Sequence, residues 1–166
     1  MTRYEELWRE GVRRVTAGYA LLSRADREQV DRLCRSMVAR KEAMQALVAR
    51  VDAASHCAGC GGACCVKGKY HVTPVDLVVY LATGAELFAP LFDNGLCPYL
   101  APEGCLMPPG YRPFNCITFN CELIEDQLPE EEVALFYLWE SELRESYRQL
   151  RALFPDRSAD GPLLKD

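Results

Sequence analysis

Eight cysteines fall within residues 57–121, and that crowding limits the folds open to this 166-residue chain more than any other feature. They form two blocks. The first, "CAGCGGACC", reads C-x2-C-x3-C-C and puts Cys57, Cys60, Cys64 and Cys65 into nine residues. The second reads C-x7-C-x10-C-x4-C and holds Cys97, Cys105, Cys116 and Cys121. A disulfide framework fits this pattern poorly. The total of nine cysteines is odd, and the neighbours Cys64 and Cys65 are badly set for a tight bridge to each other. A metal site fits better, because thiolates are strong ligands for zinc and for iron–sulfur clusters. C-x2-C lets two sulfurs reach one metal while the chain turns back. Gly59, Gly61 and Gly62 let backbone N–H groups approach sulfur closely.

The rest of the composition belongs to a globular chain, with 49% hydrophobic and 26% charged residues. The start, "MTRYEELWRE", is charged and has no apolar core of a secretory signal. The most apolar stretch, "VDLVVYLATG", is far shorter than the roughly 20 residues of a membrane helix. These features predict a cytoplasmic protein with no membrane partner. Charge is uneven: residues 1–56 hold 11 basic and 8 acidic side chains, whereas residues 122–166 hold 5 and 12. An acidic C-terminal third and a net charge of −5 argue against a nucleic-acid partner. The opposite signs either bring the outer thirds together as antiparallel neighbours or mark two independently solvated helix faces.

Both outer thirds read as helices. Tyr4, Leu7, Trp8, Val15, Tyr19 and Leu22 recur near the helical period. Ser23 and Asp26 then look like a restart, as cap and third helical position. Val30, Met37, Met44 and Val51 follow at sevenfold spacing and predict one long amphipathic helix over 24–52. Cys34 lies beside that stripe and reads as a small buried hydrophobe. At the other end Pro129 can open a helix, with Glu130, Glu131 and Glu132 suiting its positive end. Phe136, Leu143 and Leu150 form the stripe of a helix over 129–154, flanked by Trp139, Tyr147 and Phe154. The two long helices are expected to pack together. The tail "PDRSADGPLLKD" has no pattern of its own and is expected to be loose.

In the middle, Thr73, Pro74 and Asp76 predict the cap, first and third positions of a short helix ending at Gly84. Residues 96–100 and 105–107 flank "APEG" and predict a small hairpin. Cys116 and Cys121 are expected near a short helical turn. Either His56 or His71 could ligate metal or bond to a ligand sulfur, but with eight thiols available neither is needed, and both are expected at the surface or beside the ligand sulfurs; Arg112 is expected to order its loop.

The combination "CAGCGGACC", "TPVDL", "CPYL", "GCLM" and "YRPFNC", with a further cysteine at 121, resembles the YkgJ-type cysteine-cluster proteins, a zinc- or iron-chelating CxxCxxCC domain. The resemblance spans residues 57–121 and leaves the helical flanks outside. It implies Cys57, Cys60, Cys64, Cys65, Cys97, Cys105, Cys116 and Cys121 as metal ligands. Flagellin lysine N-methylase carries a similar cysteine region, but no adenosylmethionine site is evident in this chain.

The whole reads as a mainly α protein: a helical bundle whose Cys-rich, metal-binding middle contains a small β-hairpin. Residues 1–56 form the N-terminal helices and 57–121 the Cys-cluster region. Residues 122–166 form the C-terminal helix and tail, against the N-terminal helices in one compact domain. An iron–sulfur cluster is the favoured occupant and zinc the alternative. Three roles stay open: a metal- or cluster-binding protein, a redox or catalytic metalloprotein acting on a substrate or partner, and a zinc-stabilised module that binds another protein. No Ser/His/Asp set, phosphate-cradling loop or paired acids points to a particular reaction.

Overall fold

The computed structural model describes residues 1–51, 67–93, 95 and 97–166, and six helices lie among them. The first, α1 (Arg3–Ala20), opens on a capping box. Thr2 Oγ1 accepts from the Glu5 N–H at 3.2 Å, and Glu5 Oε2 accepts from the Thr2 N–H at 2.5 Å. After a short break, α2 (Arg24–Ala49) starts where Ser23 Oγ accepts from the Asp26 N–H at 3.1 Å. Arg27 reaches back and donates to the last carbonyls of α1, Tyr19 O and Ala20 O. That satisfies acceptors the helix end leaves without intrahelical partners.

Helix α3 (Pro74–Thr83) is the centre of the molecule. Val75, Leu77, Val78, Val79 and Tyr80 are all buried, so the helix is covered on every side. A helix buried on every side, with Asp76 its one charged residue, sits in a core. It packs on α1, α2 and α6. Its ends follow the expected grammar: Thr73 caps, Pro74 opens, and Gly84 ends it at φ +70°, where a side chain would be strained.

The chain then makes a hairpin of two-residue strands, β1 (Leu100–Ala101) and β2 (Gly104–Cys105), antiparallel with Leu100 opposite Cys105. It is shorter than the apolar runs suggest. Short helices α4 (Phe114–Thr118) and α5 (Glu122–Glu125) follow. Helix α6 (Glu130–Ala152) begins after Pro129 with three glutamates in its first turn and buries Phe136, Leu143, Tyr147 and Leu150. Each such apolar side chain contributes about 1.5–3 kcal/mol by leaving water.

Helices α2 and α6 pack together. The ion pairs Arg40–Glu142, at 2.6 Å, and Arg50–Glu132 run in opposite sequence order, so the helices are antiparallel and the basic and acidic thirds face each other. Arg40 also lies over the Trp139 ring. These exposed pairs set register more than stability.

The tail is not loose. Ser158, Ala159, Leu163 and Leu164 are buried. It runs over the small residues of α1, with Leu163 over Gly11 and Ser158 over Gly18. Asp166 Oδ1 accepts from Tyr4 Oη at 2.6 Å and from Tyr70 Oη at 2.7 Å. The tail lacks a period because single side chains fill gaps left by glycines, which no repeat announces. Among the described residues, no helix is long and apolar enough to cross a membrane.

Candidate metal centre

The site is built from the turn that follows the first cysteine block. Residues 68–70 (Gly68–Tyr70) form one 3-10 turn, closed by the His71 N–H donating to Gly68 O at 3.0 Å. A Cβ on Gly68 would stand 2.5 Å from Cys97 Sγ, so only glycine lets the turn lie against that thiol. At the other end of the turn, His71 Nδ1 is 3.3 Å from Cys116 Sγ. A 3-10 turn rises about 2.0 Å per residue, so Gly68 and His71 are about 6 Å apart along it. One turn therefore touches two cysteines of the second block that are 19 positions apart in sequence.

Cys97 is buried, and its loop is held by rings: Trp8, Phe88 and Tyr99 meet pairwise at centroid distances of 5.5–6.0 Å. Tyr99 Oη donates to Lys69 O at 3.1 Å, which ties the same loop to the turn. Cys116 is exposed on α4. Burial lowers the His71 pKa and so favours the neutral imidazole, whose free nitrogen can accept a proton or a metal. A thiol and an imidazole nitrogen at this spacing can share a soft or borderline cation, or exchange a proton.

The other candidates are placed differently. Cys105 is exposed on β2, and half-buried Cys121 caps α5. Among the described residues, no three His, Cys, Asp or Glu side chains form a group able to hold a metal. The first-block candidates Cys57, Cys60, Cys64 and Cys65, and His56, lie outside the described residues. Cys34 is fully buried in the α2 stripe, and burial pushes its thiol up to about 12, so it stays protonated there.

Beneath the site lies a polar network that sequence reading missed. Lys41 is 0% exposed and Asp76 is 2% exposed. Lys41 Nζ donates to Arg112 O at 2.6 Å and to Tyr147 Oη at 2.8 Å. Tyr147 in turn donates to Asp76 Oδ1 at 2.6 Å. Asp76 Oδ2 accepts from the Thr73 N–H at 2.8 Å and from Thr73 Oγ1 at 2.9 Å. Burial drives the Lys41 pKa down, with Asp76 opposing, and drives the Tyr147 pKa up. Tyr147 is thus a neutral phenol that bridges the Lys41 amino group and the Asp76 carboxyl group. The network joins the segment before α3, which carries His71, to the segment before α4, which leads to Cys116. Arg112 orders this second segment as expected: its Nε donates to Met107 O at 3.2 Å.

A signal for Lys41 was present. Cys34, Met37, Lys41, Met44 and Val48 follow one another at helical steps of three and four, and all are buried. A lysine on that stripe requires buried partners. No known protein family, curated protein or solved structure matches the chain.

Proposed function

We propose that this protein binds a metal through its clustered cysteines, with an iron–sulfur cluster as the favoured occupant and zinc as the alternative. The turn at residues 68–70 carries the reading. It follows Cys65 by three residues, and it packs on Cys97 and sets His71 beside Cys116. The described segment that follows the first block thereby meets two cysteines of the second, which supports a shared thiolate site. The resemblance of residues 57–121 to the YkgJ-type cysteine-cluster proteins supports the same ligand set: Cys57, Cys60, Cys64, Cys65, Cys97, Cys105, Cys116 and Cys121.

When bound, the group supplies a soft, thiolate-held centre, redox-active if it is a cluster. The chain's own residues orient the sulfurs. Gly68 admits the Cys97 thiol, and Lys41 holds the Arg112 carbonyl that leads into the Cys116 helix. Adjacent side chains such as those of Cys64 and Cys65 tend to point apart, which suits two irons of a cluster, or two different sites, better than one tetrahedral ion. A redox or catalytic role toward a partner is the second reading, favoured by the solvent exposure of Cys105 and Cys116. The test is metal content across variants. Cys57→Ala and Cys116→Ala are expected to lose metal and loosen the middle, because binding energy is folding energy at such sites. Retention of wild-type metal in both would overturn the reading.

A further inference from the structure

We propose that His71 is itself a ligand, through Nδ1, to the metal held by Cys116; this rests on the metal-binding reading above. The first argument is spacing. Zinc bonds of about 2.3 Å to sulfur and about 2.05 Å to nitrogen, at a tetrahedral angle, put the two donor atoms about 3.6 Å apart. The observed separation is 3.3 Å. The two donor atoms are thus within a few tenths of an ångström of the spacing of neighbouring corners of a coordination tetrahedron.

The second argument is support. Ligands are held by the structure around them, and both of these are held on two sides. The His71 N–H closes the 3-10 turn onto Gly68 O at 3.0 Å. Two residues later, Thr73 is fixed by the Asp76 carboxylate. Cys116 is fixed by its N–H donating to Pro113 O at 3.0 Å, and the preceding Arg112 carbonyl by Lys41. The Lys41–Tyr147–Asp76 network connects these two anchors beneath the pair.

The third argument is the donor count. Among the described residues, no three donors gather, so the second block alone supplies no complete site. An imidazole next to Cys116 provides a donor where the described thiols do not.

The competing role for His71 is a hydrogen bond to sulfur without a bond to metal. X-ray absorption at the K-edge of the metal the purified protein holds, zinc or iron, separates the two, because only a ligated imidazole adds its outer-ring scattering. The chain has two histidines, so His56→Ala serves as the control. Expected are imidazole scattering in wild type and in His56→Ala, and a sulfur-only shell in His71→Cys, which keeps its metal because a donor remains. His71→Ala should weaken zinc binding by more than the about 10- to 100-fold that loss of an outer partner costs. A sulfur-only shell in wild type overturns this inference and leaves the metal reading standing. So does scattering that disappears in His56→Ala but persists in His71→Cys. Protein that takes up neither zinc nor iron overturns both.

Discussion

The helical frame and the cysteine-bearing middle are held by different means. Helices α1, α2 and α6 run 18, 26 and 23 residues, and each turns one face to the core. Their order comes from repeated apolar burial that adds up along the helix. Between Gly84 and Pro129, the described chain has two-residue strands and helices of five and four residues. None of these could persist alone. The middle is fastened to the frame at scattered points rather than along a repeat: the 109–111 turn against α2, with Gly110 on Val38 and Glu42, Lys41 to the Arg112 carbonyl, Tyr111 Oη to Thr83 Oγ1 at 3.0 Å, and the Trp8–Phe88–Tyr99 rings. A region built this way gains most from a metal, which supplies several strong bonds at one point.

The contrast is broken most severely at Lys41. Lys41→Ala leaves Asp76 buried without its cation and removes the donor to Arg112 O. Losing one partner of a buried pair costs about 3–5 kcal/mol, read as a fall in the urea midpoint. A change below about 1 kcal/mol would show the pair to be solvated, as exposed pairs are.

Next come Gly18 and Gly11 of α1. A Cβ on Gly18 would meet Ser158 Oγ at 1.9 Å, and one on Gly11 would meet Leu163 Cδ1 at 2.0 Å. Gly18→Ala is expected to lose about 1–3 kcal/mol by overpacking against the docked tail. A loose tail would reverse the sign, since Ala gains about 1 kcal/mol over Gly inside a helix.

Cys34 sharpens the line between frame and middle. Cys34→Ala should cost on the order of 1 kcal/mol and leave metal content unchanged. Its thiol, raised to about 12 by burial, should resist iodoacetamide in the native protein at pH 8 while exposed Cys105 in metal-stripped protein reacts.

The smallest effect is at Asp166. Hydrogen bonds from Tyr4 and Tyr70 hold its carboxyl below the ordinary 3.8. A depressed carboxyl stabilises the fold above its unfolded-state value and loses that contribution as pH falls through the folded-state value. Protection of the buried tail at Leu163 and Leu164, measured as amide exchange relative to the intrinsic rate at each pH, should therefore fall in acid below pH 3.8. In Tyr4→Phe that transition should lie closer to 3.8.

The frame was legible because its residues repeat. Val30, Met37 and Met44, and Phe136, Leu143 and Leu150, announce buried faces, and all are buried. The caps at Ser23 and Thr73 and the stop at Gly84 were legible because each rests on local chemistry. The tail was misjudged because its partners are two glycines about 150 positions upstream. The Lys41–Tyr147–Asp76 network was missed for a related reason. Its members lie 35 to 106 positions apart, and burial by three separate helices makes them neighbours. At the candidate centre, the cysteine types and spacings could be read directly. The approach of His71 to Cys116 depends on how one 3-10 turn meets α4, which no motif encodes.

Metal and acid-labile sulfide analysis of anaerobically purified protein tests the central claim most directly. The account predicts a brown preparation with iron and sulfide in comparable amounts and a visible band bleached by dithionite. Colourless protein holding stoichiometric zinc, and forming no cluster when given iron and sulfide, would assign the site to zinc. Folded protein that carries no metal, and takes up neither zinc nor iron with sulfide, would contradict the account.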